Sequence, residues 1–343
     1  MTTTPPDAMQ RALQAVRSGR LKDATALIQD NLGWQSSRTK GSFADLAVPP
    51  RRQGPIPRGA KAAGHPARER FTCAAGSREY LLHLPEGDPR GLILMLHGCT
   101  QTPEDFAVGT TMSAKGTAAG LAVLYAAQSR GDNAQSCWNW FSAADQRRDR
   151  GEPAILAGMV RAVAAQNGVP EDRIFVAGLS AGAAMAVILG RAYPDMFTAV
   201  GAHSGLPYGA ARSVPEAFSA MAGEHHPRKI DGTGQPVPTI VFHGTKDATV
   251  SPANGARIVA DTLSGTAQTI ETTEQGQTAG RSFQRTVHSG PTQNVLSEEW
   301  RIEGLGHAWS GGDAKGSYAD PKGPDATAQM IRFFLSVPRA GLM

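Results

Sequence analysis

Residues Ile174–Ile188 read IFVAGLSAGAAMAVI, and this stretch decides the fold. Its first half is a continuous apolar run with β-branched residues, the mark of a strand buried on both faces. Its second half is made of small residues, Ala above all, with one Met, and reads as a helix. Ser180 stands at the join, with Gly178 and Gly182 two positions to either side. A turn from strand to helix this sharp would drive side chains at 178 and 182 into neighbouring backbone, so glycine fits both places. The turn lifts Ser180 above the sheet edge, and the helix N-terminus behind it offers backbone N–H groups to developing negative charge. G-x-S-x-G between a strand and a helix is the context of a nucleophile elbow; a small-residue turn with an incidental serine is the alternative.

Working outward, REYLLHLP (78–85), GLILMLHG (91–98), LAVLYAAQ (121–128), TAVGAHSG (198–205) and TIVFHGT (239–245) read as further strands. Helical patterns lie between them at 104–119, 153–167, 181–191, 215–223 and 253–264, and a final helix at 327–335. Strands alternating with helices of this length predict a mostly parallel central sheet with helices on both faces. Residues 281–287 and 295–302 read as additional strands or a hairpin.

A serine is a weak nucleophile until a base, itself held by a third group, removes its proton. In this architecture the chain order is Ser, then acid, then His. Asp247 follows the buried strand 239–243 at its C-terminal end, where open α/β sheets bind ligands. His307 sits in the Gly-rich loop EGLGHAWSGG (303–312) after another strand. Ser180, Asp247 and His307 are therefore the candidate catalytic residues. Asp231 and Asp313 compete for the acid's place, but neither follows a clear buried strand. His203 and His243 read as structural. The oxyanion donors expected are the N–H of Ala181 and one from the loop LHGCTQ (96–101): Cys99, with Thr100 as the alternative. His97 reads as a structural loop residue.

The chain has 343 residues, 41% hydrophobic and 19% charged, as expected of a soluble globular protein. No apolar run reaches membrane-spanning length, and the N-terminus lacks the apolar core of a secretory signal, so the chain reads as cytoplasmic. Residues 1–32 read as a helical hairpin segment, 33–70 as a Pro/Gly-rich linker, and 71–343 as the catalytic domain. Residues 34–70 carry eight Lys or Arg against two acids, although the whole chain is only +4. Without stacking aromatics or a reading motif, this tether predicts no nucleic-acid partner. Three cysteines are too few for a disulfide framework and too widely spaced for zinc, and the pair His225–His226 offers no better metal site. No metal or organic cofactor is expected, no membrane partner either, and the oligomeric state is open.

With these residues in place, the chain resembles the poly(3-hydroxybutyrate) depolymerase family of esterases, which is related to feruloyl and acetylxylan esterases. The phrases that carry the resemblance are LHGCTQ, SCWNWF, GLSAGAAMA, HSGLPYGAA, FHGTKDATV and GLGHAWSGG. It implies an α/β-hydrolase fold, a Ser180–Asp247–His307 triad and an oxyanion hole at Cys99 and Ala181. It also suggests that Cys99 and Cys137 pair as a disulfide; two buried thiols are the alternative in a reducing cytoplasm, and Cys73 is free in either case.

The substrate expected is an oligo- or polyester of the 3-hydroxybutyrate type. Trp138 and Trp309 are expected to wall its cleft and Asn139 to fix a carbonyl, while Trp140 and Phe141 pair in the core. A feruloyl or acetylxylan-type carboxylesterase is the second reading, and a non-catalytic protein bound to polymer granules or a partner is the third. Secreted members of the family carry a signal peptide and a polymer-adhering domain. Neither is visible here, which turns the expectation toward soluble esters or an intracellular granule, with an extracellular location as the alternative.

Overall fold

A computed structural model describes residues 66–224, 237–266 and 268–338. The hairpin segment 1–32, nearly all of the linker, His225, His226 and Asp231 lie outside the described residues. The first described strand, β1 (Glu69–Cys73), begins two residues inside the stretch read as linker.

Ten strands form one sheet. Its middle is parallel: β4 (Ala122–Ala126), β3 (Leu92–Leu96), β5 (Ile174–Leu179), β6 (Ala199–His203), β7 (Thr239–Gly244) and β10 (Val295–Ile302), in that spatial order. Antiparallel strands extend both sides. β1 and β2 (Gly76–His83) flank β4, while β9 (Arg281–Ser289) and β8 (Ile270–Thr278) continue beyond β10.

Every residue of β3, β4, β5, β6 and β7 is buried, as their uninterrupted apolar sequences require. Helices cover both faces. On one, α3 (Gly151–Gln166), α4 (Ala181–Ala192) and α5 (Val214–Met221) pack over Leu94, Leu96, Val176 and Val200. On the other, α1 (Pro103–Thr110), α2 (Met112–Ala118) and α7 (Ala326–Ser336) cover Ile93, Met95, Phe175 and Phe242. α6 (Ala253–Leu263) closes a smaller cluster with Val241 and Ala202. Each fully buried Leu, Ile, Val or Phe contributes roughly 1.5–3 kcal/mol to this packing.

The single helix expected at 104–119 is two helices. Thr111 breaks it with φ 54°, serving as the C-cap of α1 and the N-cap of α2. Helical periodicity continues across the break, so the pattern alone does not mark it. The strand at 295–302 lies parallel to β7 inside the main sheet, and the exposed β8 was not anticipated. β8 reads IETTEQGQT; eight of its nine residues are exposed, which leaves no apolar alternation to find.

The chain steps from β3 to β4 on one side and then from β5 through β6 to β7 on the other. The order therefore reverses between β3 and β5, and the loops leaving their C-terminal ends part there to open a crevice. Those two loops carry residues 97–102 and Ser180.

Candidate active site

Ser180 follows β5 directly and is the N-cap of α4, with φ 58° and ψ −119°, a region sparsely populated by non-glycine residues. A serine at this position usually caps its own helix with Oγ. Here the backbone twist withholds it, and Oγ makes no capping hydrogen bond. Among the described residues neither the hydroxyl nor the Ala181 N–H has a hydrogen-bond partner. The turn is held by Ser180 N–H donating to His203 O at 2.9 Å and by Ala184 N–H donating to Ser180 O at 3.0 Å.

Both flanking glycines are required. A Cβ on Gly178 would lie 2.4 Å from the carbonyl carbon of Gly182 and 2.7 Å from Leu96 O. These are backbone atoms that cannot swing away.

Asp247 lies past the end of β7 and is 6% exposed. Its Oδ1 accepts the N–H groups of Thr249 at 3.0 Å and Val250 at 2.9 Å, an arrangement that fixes the carboxylate plane. Its Oδ2 receives His307 Nδ1 at 2.8 Å. A second histidine reaches the same oxygen: His243 Nε2 lies 3.4 Å away and donates to Val250 O at 2.9 Å. Burial opposes charge on Asp247, but His307 and His243 outweigh it and hold the carboxyl well below the ordinary carboxylate range. The bond from Nδ1 leaves His307 Nε2 as its free ring nitrogen, and Tyr318 stands edge-on to that ring at 6.3 Å between centroids. Among the described residues no hydrogen bond joins Ser180 Oγ to His307. Such contacts are often long in unliganded enzymes and tighten with substrate.

The loop after β3 is held at almost every polar group. Gly98 N–H donates to Gln101 Oε1 at 2.9 Å, and Thr100 N–H donates to Gln135 O at 2.7 Å. Gln101 N–H turns back to Gly98 O at 3.3 Å. Of the two donors expected here, Thr100 is therefore occupied. Among the described residues the N–H groups of Cys99 and Ala181 have no protein partner. Gly98 adjoins the serine, since a Cβ built on it would lie 3.7 Å from Ser180 Cβ. A disulfide joins Cys99 to Cys137, and Cys73 is free.

His97 and His203 are structural, each tied into the fold by its ring nitrogens. His97 is buried, with Nδ1 donating to Gly98 O at 2.8 Å and Nε2 accepting Gln128 N–H at 3.1 Å. Burial pushes its pKa down to about 4. His203 accepts Ser310 N–H on Nε2 at 3.0 Å, and burial together with the nearby His243 and His307 pushes it down to about 3.

The expected substrate-binding residues need correction. Trp138 is fully buried, with its indole N–H on His97 O at 3.1 Å. Trp309 is 1% exposed, donates to Thr327 Oγ1 at 3.0 Å, and lies between His203 and Phe106. In each case a buried acceptor for the indole N–H draws the ring into the core rather than toward a cleft. Asn139 is also committed: its amide donates to Glu152 Oε1 at 2.9 Å and accepts Asn133 Nδ2 at 2.9 Å. Trp140 is buried and meets Phe141 edge-on, as expected.

Glu152 itself escaped the sequence reading. It is buried, and its carboxylate gathers Asn139 N–H, Gln128 Nε2 and Arg78 Nη2. In sequence it is an ordinary acid in the first turn of a helix, and only the fold brings its partners to it.

A cavity of about 380 Å³ lies behind the 98–103 loop, lined by Arg68, Arg70, Arg78, Glu79, Gln101 and Ser136 among others. Neither Ser180, Asp247 nor His307 lines it. Three of its four arginines, Arg68, Arg70 and Arg78, are paired with the four acids Glu79, Glu104, Asp132 and Glu152, so with Arg130 included it offers little net charge to an anion. Among the described residues no group of three His, Cys, Asp or Glu is placed to hold a metal.

The parallel sheet, the strained serine elbow at its crevice and the strand-end Asp–His pair together define the α/β-hydrolase fold class. Within that class, the chain belongs to the family described as Esterase PHB depolymerase, whose sequence profile matches residues 78–282. It is 32% identical over 250 residues to poly(3-hydroxyalkanoate) depolymerase C of Paucimonas lemoignei, covering 69% of this chain and 60% of that one. It is 27% identical over 240 residues to poly(3-hydroxybutyrate) depolymerase of Ralstonia pickettii, covering 65% and 49%. The chain thus spans only part of the length of these relatives. The acetyl xylan esterase from Aspergillus awamori has the same fold, with a TM-score of 0.61 at 17% identity, covering 79% of this chain and all of that one.

Proposed function

We propose that this protein is a serine esterase that cleaves polyester or oligoester bonds of the 3-hydroxybutyrate type through an acyl-enzyme intermediate. The observation that carries the reading is the buried Asp247 carboxylate 2.8 Å from His307 Nδ1, at the same sheet edge as an uncapped, uncommitted Ser180. The names of the two depolymerase relatives support the polyester substrate.

In the proposed reaction Ser180 Oγ attacks the ester carbonyl while His307 Nε2 takes its proton. Asp247 holds the Nδ1–H tautomer and stabilises the imidazolium. The N–H groups of Cys99 and Ala181 receive the oxyanion. His307 then protonates the departing alcohol, and water activated by the same nitrogen releases the acid. The Cys99–Cys137 disulfide supports an oxidising compartment as the place of action.

The test is hydrolysis of a soluble (R)-3-hydroxybutyrate trimer beside methyl ferulate and acetylated xylan, with Ser180→Ala as the blank. Preference for the trimer is the expected result. Preference for either of the others would keep the mechanism and overturn the substrate, and no turnover above the blank would overturn both.

A further inference from the structure

Gln101 does more than close a turn. Its side chain is 4% exposed and places one planar amide between the two loops that flank the proposed chemistry. On one side, Oε1 accepts Gly98 N–H at 2.9 Å. On the other, Nε2 lies 2.9 Å from Asp105 Oδ2, 3.0 Å from Ser317 O and 3.1 Å from Ser317 Oγ. Asp105 completes the clasp by accepting Ser317 N–H on Oδ1 at 2.9 Å and Ser317 Oγ–H on Oδ2 at 2.5 Å.

Each end of this amide leads to a working part. Gly98 precedes Cys99, and Thr100 carries a φ of 67°, so the loop is bent into a strained turn around the Cys99 N–H. Occupying Gly98 N–H leaves Cys99 as the donor that this loop can offer. Ser317 precedes Tyr318, which has φ 52°, accepts Trp309 N–H at 2.7 Å, and stands against the His307 ring.

Acceptance toward residue 98 and donation toward residue 317 are needed at once. An amide supplies both, a carboxylate can only accept, and an aliphatic side chain can do neither.

We propose that Gln101 is a positioning residue for ester hydrolysis, fixing with one buried amide both the oxyanion donor at Cys99 and the Tyr318 wall of His307. It touches no reacting atom; it sets where the donor and the base stand. This rests on the functional reading above, and the experiment separates the two.

The probes are p-nitrophenyl butyrate and its thiono analogue, in which sulfur replaces the carbonyl oxygen. Sulfur makes longer, weaker hydrogen bonds, so the ratio of oxo to thiono turnover reports the fit of the oxyanion hole. Gln101→Ala is expected to lower kcat on the oxo ester about 10- to 100-fold, with KM little changed, because small displacements of a positioned group carry losses of this order. The oxo-to-thiono ratio is expected to fall with it. Gln101→Glu, nearly isosteric and able to accept from Gly98 N–H, turns an acceptor toward Asp105 Oδ2 and Ser317 O in place of a donor, and its folded fraction is expected to show the same fall in ratio. A wild-type kcat and ratio in Gln101→Glu would overturn the proposal. So would lost activity that merely follows lost folded protein, with the ratio unchanged. Should wild type and Ser180→Ala be equally inert on both esters, the functional reading itself is overturned; an active wild type with indifferent Gln101 variants sinks this inference alone.

Discussion

A Cβ built on Gly182 would lie 2.0 Å from the carbonyl oxygen of Leu96. The first turn of α4 is thus pressed directly on the end of β3, and that contact sets the distance between the serine and the loop that begins at His97. The glycine is needed for this approach and not for its φ, because the residue is helical.

Gly182→Ala is therefore expected to cost about 3 kcal/mol or more, the upper range for overpacking, because the atom struck is backbone and cannot rotate aside. Chemical denaturation of the variant measures the loss. Any folded remainder is expected to have little esterase activity, since relief of the clash moves Ser180 away from Cys99. A stability within about 0.5 kcal/mol of wild type, the range of neutral surface changes, would contradict this packing.

Asp247→Asn tests the polarity of the Asp–His pair. The amide oxygen can keep the Thr249 and Val250 N–H groups now on Oδ1, which directs the NH₂ group toward His307 Nδ1. Nδ1 must then accept, its proton moves to Nε2, and the ring no longer takes a proton from serine. A loss of about 10⁴ in kcat is expected, as for the same change in serine–histidine–aspartate proteases. Circular dichroism is expected to stay native, so the loss is chemical.

How much of this was legible beforehand follows from which signals are local. The elbow was readable because steric demand at 178 and 182 leaves glycine as the fitting residue, and the pattern spans only five positions. Asp247 was readable because it follows the largely apolar buried strand β7, and His307 because its Gly-rich loop follows a later strand in the chain order Ser, acid, His. The roles of Trp138 and Trp309 were not. Whether an indole faces a cleft or a core depends on where an acceptor lies, and His97 O and Thr327 Oγ1 are 41 and 18 residues away in the chain. Gln101 and Glu152 were hidden for the same reason: their partners come from separate loops that only the folded sheet brings together. The disulfide was available only through family resemblance.

Two buried histidines give the fold a dependence on pH. His97 and His203 are held neutral, with folded pKa values pushed down to about 4 and about 3. In the unfolded chain they titrate near about 6.5. Between those values the unfolded state binds more protons, so stability rises with pH there and falls as pH drops below about 6.5. Asp247 adds a later loss with the same sign, below the ordinary carboxylate pKa. Urea midpoints from pH 7.5 to pH 4.5 are expected to decline with a slope of up to about two protons, one for each histidine. His203→Gln is expected to flatten that slope by up to about one proton. An unchanged slope would mean that His203 is protonated in the fold.

The Cys99–Cys137 bond joins the loop that carries the proposed oxyanion donor to the segment before Trp138 across 38 residues of sequence. Loop closure of that length corresponds to about 4 kcal/mol in the chain-entropy account, and measured values for single bridges usually fall at about 2–4 kcal/mol. Cys137→Ala is expected to lower stability by that amount under oxidising conditions, and reductant is expected to lower the wild type but leave the variant unaffected. Activity is expected to fall more steeply than the folded fraction. Cys99 supplies both the bridge and the proposed oxyanion N–H, and Thr100 N–H on Gln135 O ties the same two segments only through backbone. With the bridge gone, Gln101, that bond and the contacts of His97 with Trp138 and Gln128 still hold the loop, but Cys99 itself loses its tether, so kcat is expected to drop while KM stays near wild type. Equal falls in activity and folded fraction would assign the disulfide to stability alone.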